Sequence, residues 1–103
     1  MNELQSTLQW ISDWFKVNCD GDWEHENQIV IQTVSNPGWL ITVDLADTTM
    51  ENLEREETFD NSETDWYFYT ISEKKFTGSG DLSKLPSLLY AFQENALFSQ
   101  EKI

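Results

Sequence analysis

Between positions 2 and 17 apolar side chains recur at helical spacing. Leu4, Leu8, Ile11 and Phe15 follow i, i+4, i+7, i+11 and share a face. Trp10, Trp14 and Val17 widen that stripe, and no Gly or Pro interrupts it. The pattern predicts a helix ended by Asn18 and the Asp20–Gly21 pair. The period then changes to two. "QIVIQTV", 28–34, is β-branched and apolar, as strands prefer. "WLITVDL", 39–45, alternates: Trp39, Ile41, Val43 and Leu45 point one way, Leu40, Thr42 and Asp44 the other. "SNPGW" between them predicts a type II turn, with Pro37 fixing φ at its second position and Gly38 supplying positive φ at its third. The result is a β-hairpin with one apolar face.

Residues 46–64 are acidic and polar, with a short strand expected near Leu53 to Phe59. "DWYFYTI", 65–71, reads as a strong strand with aromatic residues on both faces. A turn at Glu73 to Lys75 leads to Phe76, and "TGSGD", 77–81, reads as a loop. From Ser83 the chain becomes helical, with Pro86 tolerable in the first turn and Leu85, Leu88, Leu89, Phe92 and Ala96 on the apolar face. Short connections between strands favour antiparallel pairing. The expected fold is therefore α+β: an antiparallel sheet of three to four strands, with an N-terminal and a C-terminal helix packed on one face. One domain spanning 1–103 is expected, with Leu8, Ile11, Ile41, Val43, Leu89 and Phe92 in its core.

Composition changes the picture in one respect. Apolar residues make up 39% of the chain and aromatics 14%, with five tryptophans, enough for a real core. The formal net charge, however, is −13. From Val17 to Glu54 there are eight acids and no Lys or Arg, and more acids follow up to Asp65. Such a field repels nucleic acid and anionic membranes and attracts basic proteins. A single cysteine excludes an intramolecular disulfide. No basic segment followed by an apolar run marks the N-terminus, and the longest clear apolar run, "LLYAF" at 88–92, is far short of a membrane span. A cytoplasmic protein is expected.

The chemistry-bearing residues concentrate in "CDGDWEHE", 19–26, which holds the chain's only Cys and only His. Asp20, Asp22, Glu24 and Glu26 alternate like the start of an EF-hand loop. His25 then stands where that loop needs its invariant Gly, and Ile31 where it needs a bidentate Glu. One His and one Cys cannot supply a usual structural zinc site. Cys19 and His25 suggest a nucleophile and base, but a helix C-terminus beside Asp20 disfavours the thiolate. "TGSG" lacks the Lys and the length of a P-loop. Neither a metal, a cofactor nor a catalytic residue is expected. The structural reading gives Asp20 and Asp22 an Asx-turn role, Gly21 a positive φ, and Trp23 a place in the core with Cys19 and His25 beside it. If that segment is extended, Asp22 and Glu24 turn outward, which a purely structural role does not require.

"LQWISDWFKVNCDGDWEHE", "NPGW" with "VDL", "SETDWYFYTI", "KKFTGSGDL" and the closing amphipathic helix together resemble the immunity protein 53 family of bacterial polymorphic toxin systems. The likeness covers nearly the whole chain. Where the family pattern has an aromatic-glycine pair after the histidine, this chain has Glu26, Asn27 and Gln28. The resemblance implies a small cytoplasmic protein that binds and neutralises a cognate toxin and catalyses no reaction. The charge fits independently. A toxin acting on nucleic acid presents cations at its active site, and carboxylates can stand in there for phosphates. The partner-binding residues expected on these grounds are Asp20, Asp22, Glu24, His25, Glu26, Asp44 and Asp47, with Trp66, Tyr67 and Tyr69 as aromatic anchors. Two other readings stay open: a binding module for some other basic protein, and a metal-assisted or acid–base enzyme using Asp20 to His25.

Overall fold

The computed structural model describes residues 2–101. Asn2 caps α1 (Glu3–Asn18), its side chain accepting from the Gln5 N–H at 2.7 Å, which satisfies one of the donors that a helix start leaves unpaired. The buried residues of α1 are Thr7, Ile11 and Trp14, with Trp10 packed beside them. This stripe is rotated from the expected one. Leu4 and Leu8 stay 38% and 44% exposed, and Val17 is 83% exposed. The large rings decide the rotation. Trp14 meets Phe92 of the last helix edge-on at 5.0 Å, and Trp10 meets the same ring at 6.4 Å. Rings of this size bury more area than leucine, and the edge-to-face geometry adds to it. Thr7 is tolerated inside because its hydroxyl donates to Gln93 Oε1 at 2.8 Å.

A short helical turn, α2 (Trp23–Glu26), leads into β1 (Ile29–Val34), β2 (Gly38–Asp44), β3 (Arg55–Ser62), β4 (Asp65–Ser72) and β5 (Lys75–Gly80); α3 (Leu85–Glu101) follows. All the strand pairs are antiparallel, and the order across the sheet is β1-β2-β5-β4-β3. After β2 the chain crosses to the far edge and returns by two hairpins, so β5 closes the gap between β4 and β2. The sheet thus has five strands, where the sequence pattern gave three to four. The miss is β5, whose "TGSG" reads as a loop. Its glycines answer to the helix above. A Cβ on Gly78 would stand 3.1 Å from Leu88, and one on Gly80 would stand 2.8 Å from the Lys84 Cβ.

The strand expected near 53–59 is β3, displaced to Arg55–Ser62 and exposed along its whole length. The β1–β2 turn departs from type II: the Asn36–Pro37 bond is cis, and Gly38 does not take a positive φ. Gly38 is required for space instead, because a Cβ there would lie 2.5 Å from the Gly80 carbonyl oxygen. The β4–β5 turn places two non-glycine residues, Glu73 and Lys74, at φ 52° and 65°, the paired positive values that match a hairpin's twist. α3 begins at Leu85 rather than Ser83, with Pro86 in its first turn as expected.

One face of the sheet is covered by both long helices. Ile41, Val43 and Leu45 of the β2 segment, Tyr69, Ile71 and Phe76 meet Leu88, Leu89, Phe92 and Ala96 of α3 there, with Trp14 and Ile11 of α1. Of the expected core, Ile11, Ile41, Val43, Leu89 and Phe92 are buried and Leu8 is not. Just past β5, Asp81 ties sheet to helix. It is 6% exposed and accepts from Ser83 Oγ at 2.6 Å, Ser83 N at 2.7 Å and Trp66 N at 2.8 Å. Lys84 bridges it, at 3.1 Å, to Asp65, at 2.6 Å. The Ser83 hydroxyl first, then the Trp66 and Ser83 N–H groups and Lys84, hold the Asp81 carboxyl far below the ordinary carboxylate range against the opposing effect of burial.

Two stability measurements test this fold. Leu89→Ala should cost about 2–5 kcal/mol in denaturant unfolding, whereas Leu8→Ala, on the exposed side of α1, should stay within about 0.5 kcal/mol. Equal losses would mean that α1 is rotated differently. A carboxyl lowered on folding stabilises the protein above its unfolded value, near 3.9, and that contribution drains away as pH falls through the window beneath. Asp81→Asn should therefore lower the melting temperature by several degrees at pH 7 and flatten its decline below about pH 4. An unchanged acid limb would assign that decline to other carboxylates.

Candidate functional site

The corner between α1 and α2 carries the acidic stretch, and local hydrogen bonds dictate its shape. Cys19 caps the end of α1, its N–H donating to the Lys16 carbonyl at 3.2 Å and its thiol to the Phe15 carbonyl at 3.3 Å. Burial raises the thiol's pKa, and the Glu24 and Asp20 charges add to that, so the reactive thiolate is disfavoured. Gly21 then turns the chain at φ 98°. Asp20 Oδ1 accepts from Asp22 N at 2.9 Å and Trp23 N at 2.8 Å, an Asx-type turn that starts the α2 helical turn. Glu24 reaches back to Asp20 N at 3.0 Å and to Gly21 N at 3.0 and 3.1 Å, the same reciprocal logic as a capping box. Both carboxyls lie below their ordinary values. The N–H groups of Trp23 and Asp22 do this for Asp20; for Glu24 its own N–H leads, joined by those of Asp20 and Gly21.

Trp23 anchors the corner. It is 6% exposed, meets Phe15 at 5.1 Å and Trp14 at 6.1 Å edge-on, and donates its Nε1–H to the Ala46 carbonyl at 2.6 Å. The expected extended segment is therefore a helical turn, and alternation does not decide which side chains face out. Asp20, Asp22, His25 and Glu26 are exposed and Glu24 is half-buried. His25 lies at the surface rather than beside the core tryptophan. Among the described residues no group of three or more His, Cys, Asp or Glu side chains comes together in a way that would hold a metal ion.

Asp44 and Asp47 lie on the same side of the molecule. Asp44 Oδ2 accepts from Gln28 N, just past α2, at 3.0 Å, and Asp44 faces Lys75 at 3.6 Å. Asp47, one residue from the carbonyl that holds Trp23, sits exposed at φ 62°, its N–H donating to Glu51 at 2.9 Å. The three expected anchors lie elsewhere, on β4, with β5 and β2 between them and β1. Trp66 is half-buried, with its N–H on Asp81. Tyr67 stacks on Phe59 at 5.5 Å and donates its hydroxyl to Glu57. Tyr69 is drawn into the core against Phe76 at 5.5 Å, so its ring is no surface anchor; only its hydroxyl reaches Glu57, at 3.1 Å, with Asn95 donating to it at 3.2 Å.

These two tyrosines line a cleft of about 470 Å³ between the β3 edge and α3, closed by Arg55, Glu57, Tyr90, Glu94 and Phe98 among others. Hydrogen bonding to Glu57 and partial burial push the Tyr67 hydroxyl up to about 12. The Arg55 guanidinium lies over the Phe98 ring at 4.7 Å. Tyr90 and Glu94 carry no functional signal in the sequence, and Glu57 enters there only as one of the run of acids up to Asp65. The β3–β4 register, which pairs Glu57 with Tyr69, and the packing of α3, which carries Tyr90 and Glu94, bring them to one place. The structure thus divides the expected surface into an acidic corner at the β1 side and a tyrosine–glutamate cleft at the β3 side.

The described residues therefore present an acidic corner and a tyrosine–glutamate cleft. Comparison with curated proteins and with solved structures gives no match. A family model described as Immunity protein 53 matches residues 8–96, a span running from α1 through the corner and all five strands into α3. The chain belongs to the immunity protein 53 family.

Proposed function

We propose that this immunity protein acts in the cytoplasm by binding a basic toxin, one that attacks nucleic acid, and that its carboxylates occupy the cationic surface which the toxin's polyanionic substrate would otherwise fill. The observation that carries this reading is the unbalanced charge. Nineteen acids face six Lys and Arg in the sequence. Among the described residues the ion pairs engage Asp44, Glu51, Asp65 and Asp81. The corner acids Asp20, Asp22, Glu24 and Glu26 have no basic partner among those pairs, so their field projects into solvent. Complementary fields accelerate encounter and select the partner more than they deepen affinity. Family membership is the ground for reading the protein as a binder and not an enzyme.

The structure sharpens the test. Glu24 builds the corner, so its removal would mix folding with binding. Asp22 and Glu26 are exposed, and their carboxylates take part in none of the corner's hydrogen bonds. The Asp22→Asn, Glu26→Gln double variant should keep the wild-type melting temperature within about 1–2 °C, as surface substitutions do. It should associate more slowly with the toxin encoded beside this gene, by roughly threefold to tenfold at low salt, with the difference shrinking as salt rises above about 0.15 M. Association that is equally fast and salt-independent in both proteins would remove the electrostatic reading. One equivalent of Zn, Mn or Ca in protein purified without chelator would favour a metal-assisted enzyme instead.

A further inference from the structure

The two edges of the sheet are not alike. β3, at one edge, carries Arg55, Glu56, Glu57 and Asp60 and breaks register between Asp60 and Ser62. Charge and a bulge are the usual protections against edge-to-edge pairing. β1, at the other edge, reads IVIQTV and has neither a charge, a proline nor a register shift. In a chain of net charge −13 this is an uncharged, β-branched edge left open.

Its pairing shows which backbone groups are on offer. Asp44 N donates to the Gln28 carbonyl at 3.1 Å. Antiparallel alternation then turns Val30, Gln32 and Val34 towards β2, and the N–H and C=O groups of Ile29, Ile31 and Thr33 outward. The side chains of these three share the helix-covered face with Ile41 and Val43. Ile31 remains 44% exposed there. Beside this edge runs a shallow groove lined by Ile11, Phe15, Asn27 and Ile29, with Glu24 in its wall. Asp22, Glu24 and Glu26 stand at the head of the strand.

We propose that β1 is the docking edge for the toxin: an extended toxin segment adds to the sheet as a sixth strand, its backbone bonded to Ile29, Ile31 and Thr33. Alternate apolar side chains of that segment enter the groove over Ile11, Phe15 and Ile29, and a basic residue meets the acids at its head. This is the recognition mode in which main-chain bonds give affinity and alternate side chains give specificity. It rests on the immunity reading above and names the surface for it. Charge selects a basic partner over a second copy, because two chains of −13 repel.

The test uses the full chain, the toxin domain encoded beside its gene, and a short alternating valine–lysine peptide as a second probe. Ile31→Pro removes an N–H that points away from β2, which an edge strand tolerates. Ile31→Lys blunts the edge by charge while keeping every backbone group. Both variants should stay folded and bind toxin at least roughly tenfold more weakly. In wild type, the amides of Ile29, Ile31 and Thr33 should exchange quickly when free and slow on adding toxin, and their resonances should shift with the peptide. Toxin binding without new protection at these amides overturns the β1 assignment and leaves the immunity reading standing. Absence of any complex with the wild-type chain overturns the immunity reading, and with it the toxin as occupant. A wild-type dimer that Ile31→Pro dissociates assigns the edge to a second copy and overturns the proposal.

Discussion

The close approach of α3 to β5 is the constraint on which the rest of the fold depends. β5 joins β2 to β4, so without it the sheet would split into a β1–β2 hairpin and a β3–β4 hairpin. Two-stranded hairpins are marginal alone. The helix packs against this joint because Gly78 and Gly80 leave no side chains between Leu88 or Lys84 and the strand. Phe76, on the same strand, then fills the space beside them, meeting Phe92 edge-on at 5.5 Å and stacking on Tyr69 at 5.5 Å. Phe92 in turn receives Trp14 and Trp10 from α1. One aromatic chain thus runs from β4 through β5 and α3 to α1, and the Asp81–Lys84–Asp65 cluster fastens its polar end.

The same constraint explains what the sequence concealed. Glycine in a strand weakens it and ordinarily marks a loop, so "TGSGD" carries a local signal opposite to its structure. Only the packing of α3 and the residue before it, which lie outside that local string, makes those glycines useful. The rotation of α1 has a similar origin. Leu4, Leu8, Ile11 and Phe15 form a good helical line, yet a competing line through Trp10, Ile11 and Trp14 reaches Phe92. Spacing alone does not rank two lines that share Ile11. Features set by near neighbours were legible: the β2 alternation, Pro86 in the first turn of α3, the positive φ of Gly21 and the burial of Trp23.

The acidic corner was legible in composition but not in role. Asp20 and Glu24 look like paired ligands or an acid–base pair when counted along the chain. In space each is occupied by the backbone N–H groups of the turn that it builds. Those bonds stabilise the ionised forms, so the corner keeps its negative charge while doing structural work. A surface can therefore be rigid and charged through the same carboxylates, which preserves its field without the entropy cost of ordering mobile side chains on encounter. The tyrosine–glutamate cleft differs: Tyr67 and Tyr69 were visible as strand aromatics, but Glu57 joins them only through the register of β3.

Edge protection and charge distribution then turn out to be one problem. A highly acidic chain resists self-association through its field, so it can leave one edge without the charged residues that a neutral protein would place there. β3 is guarded locally, by its own acids and its register shift. β1 is guarded at a distance, by the net charge and by the acids that precede it. Under the proposal, that arrangement disfavours other acidic chains and leaves backbone donors and acceptors for a basic one. The sequence order makes the coupling direct: Glu24 and Glu26 end the turn that Trp23 fixes to the core, and Ile29 begins the edge strand right after Asn27 and Gln28. The rigid corner therefore holds its charge beside the strand, and in the proposed docking a basic segment would meet attraction and backbone pairing at the same place.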